Sequence, residues 1–177
     1  MNVRRYFVIA TALFCALPVV AVAQASFDPE ARLRELKLEL PAPRPPVANY
    51  VSAVRTGNLV FLAGHGECGG DKYVGKIPRD HTIEEGYDAA RNVGLCLLAS
   101  LKAEIGDLRK VKRIVRVFGM VNATEDFTQQ PKVINGCSDL LVAVFGERGR
   151  HARAAVGMQA LPNNISVEIE MVVEVAD

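Results

Sequence analysis

Two residues near the end of the chain offer the plainest chemistry in its sequence, Arg153 and Glu168. Arg153 stands among residues with almost no side chain, Ala152, Ala154, Ala155 and Gly157. A guanidinium there either lies flat on a surface or reaches across an open hollow. It keeps its charge at any working pH, and its planar fork fits a carboxylate through two parallel hydrogen bonds. Glu168 follows across a turn. A carboxylate facing the same hollow can orient water or carry a proton, more so where burial raises its pKa. A cross-strand ion pair between Arg153 and Glu168, with no ligand, fits the pattern equally well, and residue types alone leave both readings open. His151, two residues before Arg153, shares its face if the strand already starts there; a polar residue at a strand end is the simpler account. Elsewhere the sequence shows no nucleophile elbow, no local cysteine–histidine signature and no phosphate loop.

These residues need strands to hold them. Ala152–Ala160 and Ser166–Val175 alternate with period two around Leu161-Pro162-Asn163-Asn164, which predicts two strands joined by a short tight connection. In the second run Val167, Ile169, Met171, Val173 and Val175 fall on one face, with Glu168, Glu170 and Glu174 on the other. Upstream, Tyr50–Arg55 and Leu59–Ala63 flank Thr56-Gly57-Asn58, a good hairpin turn. The second of these runs is apolar throughout, which predicts a central strand buried on both faces. Thr82-Ile83-Glu84-Glu85 is a capping box. The helix it opens carries a stripe of Ile83, Tyr87, Ala90, Gly94, Leu97, Leu101 and Ile105, and Gly106 ends it. Val111–Val121 reads as a third long strand. Asp126 or Thr128 then opens a second helix with Pro131 in its first turn, running to Gly146. The order β-β-α-β-α-β-β predicts an α+β two-layer domain, its helices on one face of the sheet. The other face needs a cover, and the apolar alternation of the last strand points to a second copy of the chain.

The 177 residues, 50% hydrophobic and 23% charged, fit one globular domain. Residues 1–23 read as a secretory signal peptide: basic Arg4 and Arg5, an apolar run from Tyr6 to Val22, and the small-x-small signal Ala21-Val22-Ala23. Residues 24–47 hold a short helix, with Asp28 before Pro29, and a proline-rich linker. The folded body, 48–177, is expected to begin near Ala48. The sequence therefore predicts export, to a periplasm, with no stable membrane association after cleavage. Without Arg4 and Arg5 the remaining 19 basic residues face 20 acidic ones, so no electrostatic footprint for nucleic acid exists. Lys110, Lys112, Arg113 and Arg116 form the one basic cluster and read as the solvated side of a strand. Cys68, Cys96 and Cys137 allow at most one internal bridge. Cys96 and Cys137 lie on predicted helices as small buried hydrophobes, and Cys68 in a glycine-rich loop is the most exposed. His65 and Cys68 have a metal-like spacing, but no second pair completes a site, so no metal or other cofactor is expected.

The segments Gly57-Asn58-Leu59-Val60-Phe61-Leu62-Ala63-Gly64, Asp126-Phe127, Val133-Ile134-Asn135, His151-Ala152-Arg153 and Leu161-Pro162 with Val167-Glu168-Ile169-Glu170 fall in the order seen in the RidA/YjgF family. The resemblance covers about Ala48 to Val175. The extended stretches 126–136 and 149–153 look like a divergent subgroup. It implies a chorismate-mutase-like fold, a homotrimer with ligand clefts between subunits, and hydrolysis of amino-acid enamines and imines to 2-keto acids and ammonia, as by a 2-iminobutanoate/2-iminopropanoate deaminase. By position, Arg153 matches the arginine that binds the substrate carboxylate and Glu168 the glutamate that positions water. Tyr50 matches the aromatic cleft residue, Asn135 the helix residue bordering the site, and Gly64 a backbone contact. The departures are Ala63, where related deaminases carry serine or threonine, Ala155, where they often carry cysteine or serine, and His65, where glutamine is common. A non-catalytic exported trimer that binds small carboxylates is the alternative those departures leave.

Overall fold

Five strands form one sheet in the order β1-β2-β5-β3-β4, with two long helices packed on it and a short N-terminal helix packed against the second of them. The computed structural model describes residues 27–176 apart from 44 and 71, so the signal-like segment 1–23 lies outside the described residues. The elements are α1 (Pro29–Glu35), β1 (Ala53–Thr56), β2 (Leu59–His65), α2 (Ile83–Ile105), β3 (Val111–Asn122), α3 (Gln130–Phe145), β4 (Ala152–Met158) and β5 (Val167–Val175). Every strand pair is antiparallel except β3 with β4. This is the expected α+β two-layer arrangement, with the short N-terminal helix as a third helix.

One connection differs from expectation. β4 and β5 are consecutive but do not pair, because β3 lies between them. The reason is α3: a strand, a crossover helix and a second strand place the two strands parallel and adjacent, so β4 docks on β3. The link 161–164 does not close a hairpin. It makes a 3₁₀ turn, with Asn163 and Asn164 at φ 53° and 59°, and carries the chain past β3 to its other edge.

Alternation then sets the layers. Val167, Ile169, Met171, Val173 and Val175 join Val60 and Leu62 of β2 in the core beneath α2 and α3. The apolar face of β5 is thus covered by helices, not by another copy. β2 is central but buried on only one face, and Phe61 remains 45% exposed beside Val54 on the side away from the helices. The two long helices pack closely because α3 has Gly136 where α2 passes. A Cβ there would overlap the Tyr87 carbonyl oxygen.

The capping box of α2 forms in full, with Thr82 Oγ1 accepting from the Glu85 N–H and the Glu85 carboxylate accepting from the Thr82 N–H. α3 starts at Gln130, later than Asp126 or Thr128, because Asp126 instead accepts from the Thr124 hydroxyl and Phe127 is buried. The folded body begins before Ala48: Asp28 caps α1, Leu33 is buried, Phe27 packs against Phe145, and Glu30 pairs with Lys102 of α2. Cys96 is not a lone buried hydrophobe, since it is disulfide-bonded to Cys68, and Cys137 is the buried free thiol.

Candidate functional site

Residues paired in register across a sheet project to the same face. Arg153 pairs with Val117, and Val117 with Met171, both buried under the helices, so Arg153 leaves β4 on the helix side. Glu168 pairs with Met120, which pairs with Val156 and clusters with Leu161 and Ile165 on the opposite side. The two residues expected to share a hollow therefore stand on opposite faces, with β3 between their strands. Within one chain they form neither the ion pair nor the common cavity. That expectation rested on β4 and β5 being neighbours, which the crossover forbids.

Glu168, Gly64 and Tyr50 do come together. With Pro162, Asn163 and His65 they line a hollow of about 180 Å³. Gly64 is required by the carboxylate itself: a Cβ there would overlap Glu168 Oε1, so glycine lets the acid lie against the β2 backbone. Burial pushes the Glu168 carboxyl above its usual 4.5, and Glu170, two residues along on the same face, adds to the shift. Tyr50 is 49% exposed at the rim. His65 is buried, its Nδ1 2.7 Å from the Ala63 carbonyl and its Nε2 2.8 Å from Ser100 Oγ on α2. A carbonyl only accepts, so Nδ1 carries the proton. Desolvation holds His65 below its usual 6.5, which keeps the ring neutral.

Arg153 and Asn135 form a second group. Arg153 Nη1 donates to Asn135 Oδ1 at 2.8 Å and to Ser138 Oγ at 3.0 Å. Asn135 and Ser138 are three residues apart on α3 and so share one helix face. Ser138 Oγ also lies 3.0 Å from His151 Nε2, while His151 Nδ1 is 2.7 Å from the Gly149 carbonyl. Reasoning from sequence missed Ser138. Two spacings could have found it: three residues from Asn135 along a helix, and two from His151 to Arg153 along a strand. Ala155, two residues beyond Arg153, packs against the core as a plain methyl group.

Chemically, one group is an exposed cation steadied by an amide and a hydroxyl, suited to an anion. The other is a half-buried carboxylate with a raised pKa, suited to water and proton handling. Among the described residues no cluster of three histidines, cysteines or acids could hold a metal.

Residues 30–175 match the family model described as YjgF/chorismate mutase-like, putative endoribonuclease. Protein TCP17 of Trypanosoma cruzi is 41% identical over 148 residues, which span 81% of this chain and 92% of that protein. The crystal structure of Atu1372 from Agrobacterium tumefaciens, a protein of unknown function, superimposes with a TM-score of 0.78 at 42% identity, over 84% of this chain and 92% of that one. The 2-iminobutanoate/2-iminopropanoate deaminase of Dermatophagoides farinae is 28% identical over 128 residues, or 72% of this chain and 87% of that protein.

Proposed function

The chain belongs to the YjgF/RidA family and has its chorismate-mutase-like fold, and from that premise we propose that it hydrolyses small carboxylate-bearing enamines or imines to 2-keto acids and ammonia, in a cleft between subunits of a homotrimer. The observation that carries this reading is the division of the polar residues. Arg153 and Asn135 sit at the edge strand β4 on the helix side, while Glu168, Gly64 and Tyr50 sit on the open face. Each half lacks what the other has. A second copy laid with its open face along the first copy's β4 edge would join them and cover Val54 and Phe61. The similarity to a named imine deaminase supports the reaction.

In such a cleft Arg153 grips the substrate carboxylate through two charge-assisted hydrogen bonds. The imine carbon is already electrophilic, so placing water and stabilising charge suffices without a covalent intermediate. Ionised Glu168 takes a proton from the attacking water as the carbon–oxygen bond forms. The protonated acid returns it to the nitrogen, giving a carbinolamine. Glu168 then passes the remaining hydroxyl proton to the same nitrogen as the carbon–nitrogen bond breaks and the carbonyl forms, so ammonia leaves the keto acid. Burial and then Glu170 raise the Glu168 pKa, which favours the carboxyl as proton carrier. Ala63 and Ala155 place methyl groups where related deaminases carry polar ones, and they favour a second reading, a trimer that binds small carboxylates without turnover. The Cys68–Cys96 bridge supports export to an oxidising compartment after loss of residues 1–23.

Freshly generated 2-iminopropanoate, with 2-keto acid formation followed, tests the enzyme; no acceleration over buffer sinks it. Glu168→Gln with binding kept and turnover lost selects catalysis over binding alone. Mixed trimers of Arg153→Ala and Glu168→Gln, each inactive alone, should regain activity at about one site in four if neighbouring subunits supply the two residues. No recovery would sink the shared cleft between subunits.

A further inference from the structure

Ser138 and His151 stand behind Arg153, and the reaction just described does not use them. Their hydrogen bonds have a definite direction. The Gly149 carbonyl can only accept, so the His151 proton is on Nδ1, 2.7 Å away. The neutral ring then offers a lone pair at Nε2, which takes the Ser138 hydroxyl proton at 3.0 Å. Ser138 Oγ, having given its proton inward, accepts from Arg153 Nη1, and the second Nη1 hydrogen goes to Asn135 Oδ1. Both hydrogens of Nη1 are thereby committed. Among the described residues Nε and Nη2 have no hydrogen-bond partner, and these two nitrogens form the side-on edge that fits both oxygens of a carboxylate. Ser138 is not aimed as a nucleophile, because the lone pair it turns outward is held by the guanidinium.

We propose that Ser138 and His151 are positioning residues of the anion site, a relay that fixes Arg153 with its Nε–Nη2 edge outward and couples carboxylate binding to protonation of His151. The proposal rests on the reading of Arg153 as the carboxylate clamp. Protonation adds a hydrogen at Nε2, which must now donate to Ser138 Oγ. The serine proton swings outward, so the site gains a cation and a donor beside Arg153 at once. The charge acting on His151 is Arg153 of β4, while Ser138 of α3 is neutral and the Glu147–Arg150 pair on the preceding turn is self-compensated and solvated. Burial, then Arg153, holds His151 below its usual 6.5. A bound carboxylate offsets the Arg153 charge and so eases protonation, and by linkage acid tightens binding.

Calorimetric titration of the whole protein with pyruvate, in a Glu168→Gln background so that Glu168 does not titrate, tests this directly. Affinity should rise about threefold to tenfold between pH 7.5 and 5, a coupling of ordinary size. His151→Gln and Ser138→Ala should flatten that rise, and Ser138→Thr should restore it. The ring titration of His151, followed by NMR, should move upward when pyruvate saturates the site. A slope equal in His151→Gln and its parent, or a ring titration unmoved by pyruvate, overturns the relay while leaving the clamp intact. Equal pyruvate affinity with and without Arg153→Ala instead removes the clamp reading on which the relay depends.

Discussion

Replacing Gly64 with alanine separates the position of the Glu168 carboxylate from the stability of the fold. A Cβ on residue 64 would overlap Glu168 Oε1 and stand 3.0 Å from its Cδ and 3.3 Å from its Cγ. Carbon atoms pack at about 3.5–4.0 Å, so Cδ must recede by roughly half an ångström to one, and the oxygen by more. The atoms in the way are the far end of a side chain with three rotatable bonds, not backbone. Gly64 is not among the glycines with positive φ, so alanine brings no backbone strain. The loss of chain freedom in the unfolded state favours alanine by about 0.4–1 kcal/mol, which offsets much of the cost of moving the acid. Stability should therefore change by no more than about 1 kcal/mol. Turnover should not survive as well: misplacing a reacting group by about 1 Å costs about a hundredfold. The assay is 2-keto acid release from freshly made 2-iminopropanoate, beside a urea-unfolding curve for each protein. Turnover within about threefold of the parent, at unchanged stability, would mean that the Glu168 carboxylate does not position water. A collapse of the unfolding midpoint would mean that the collision falls on the sheet and not on the acid.

Other perturbations test other parts of the molecule. Because burial and Glu170 raise Glu168 above 4.5, and the ionised form is the base, kcat/KM should fall as pH drops through a value above 4.5; Glu170→Gln should move that limb to lower pH, and an unmoved limb refutes the assignment. Gly136→Ala drives a methyl into the Tyr87 carbonyl of α2, a collision backbone cannot avoid, and should cost about 3 kcal/mol by urea unfolding; a neutral result would show that the helices can part freely. His65 is neutral in the fold with its pKa below 6.5, so the unfolded chain binds the extra proton first. Stability from this group is full above 6.5 and is lost as pH falls through the folded value, and His65→Gln should flatten that fall in a series of unfolding curves. The Cys68–Cys96 bridge closes a separation of 28 residues, worth about 3–4 kcal/mol in the chain-entropy picture; coincident unfolding curves with and without reductant would argue that the bridge does not form.

Periodicity made much of the fold legible. The capping box at Thr82 and the stripe from Ile83 to Ile105 locate α2 to the residue, and the alternation from Val167 to Val175 gives both the strand β5 and which of its faces is buried. Period-two alternation says which side a residue takes but not which strand lies next to it, and that is where the reading of β4 and β5 as partners failed. The apolar run Leu59–Ala63 misled for a related reason. Phe61 is apolar on a face no helix covers, and apolarity alone does not say what lies above a strand. Ser138 escaped notice because its spacing of three residues from Asn135 marks a shared helix face but does not say that Arg153 and His151 of the strand lie against that face.

The division of the site follows from the same topology that hid it. Arg153 must project from β4, and β4 is an edge strand because the β3–α3–β4 crossover ends the sheet there. Its helix-side neighbours, Asn135 and Ser138, hold the guanidinium on the face of the sheet opposite its own chain's Glu168. Glu168 must lie on the other face, since Val167 and Ile169 on either side are core residues. No single-residue shift of register cures this: moving Glu168 to the helix side would bring Val167 and Ile169 out into solvent, at about 1.5–3 kcal/mol for each side chain exposed. A fold that holds its cation and its acid on opposite faces can use them together only by meeting another copy of itself, so in the proposed reaction assembly and chemistry stand or fall together.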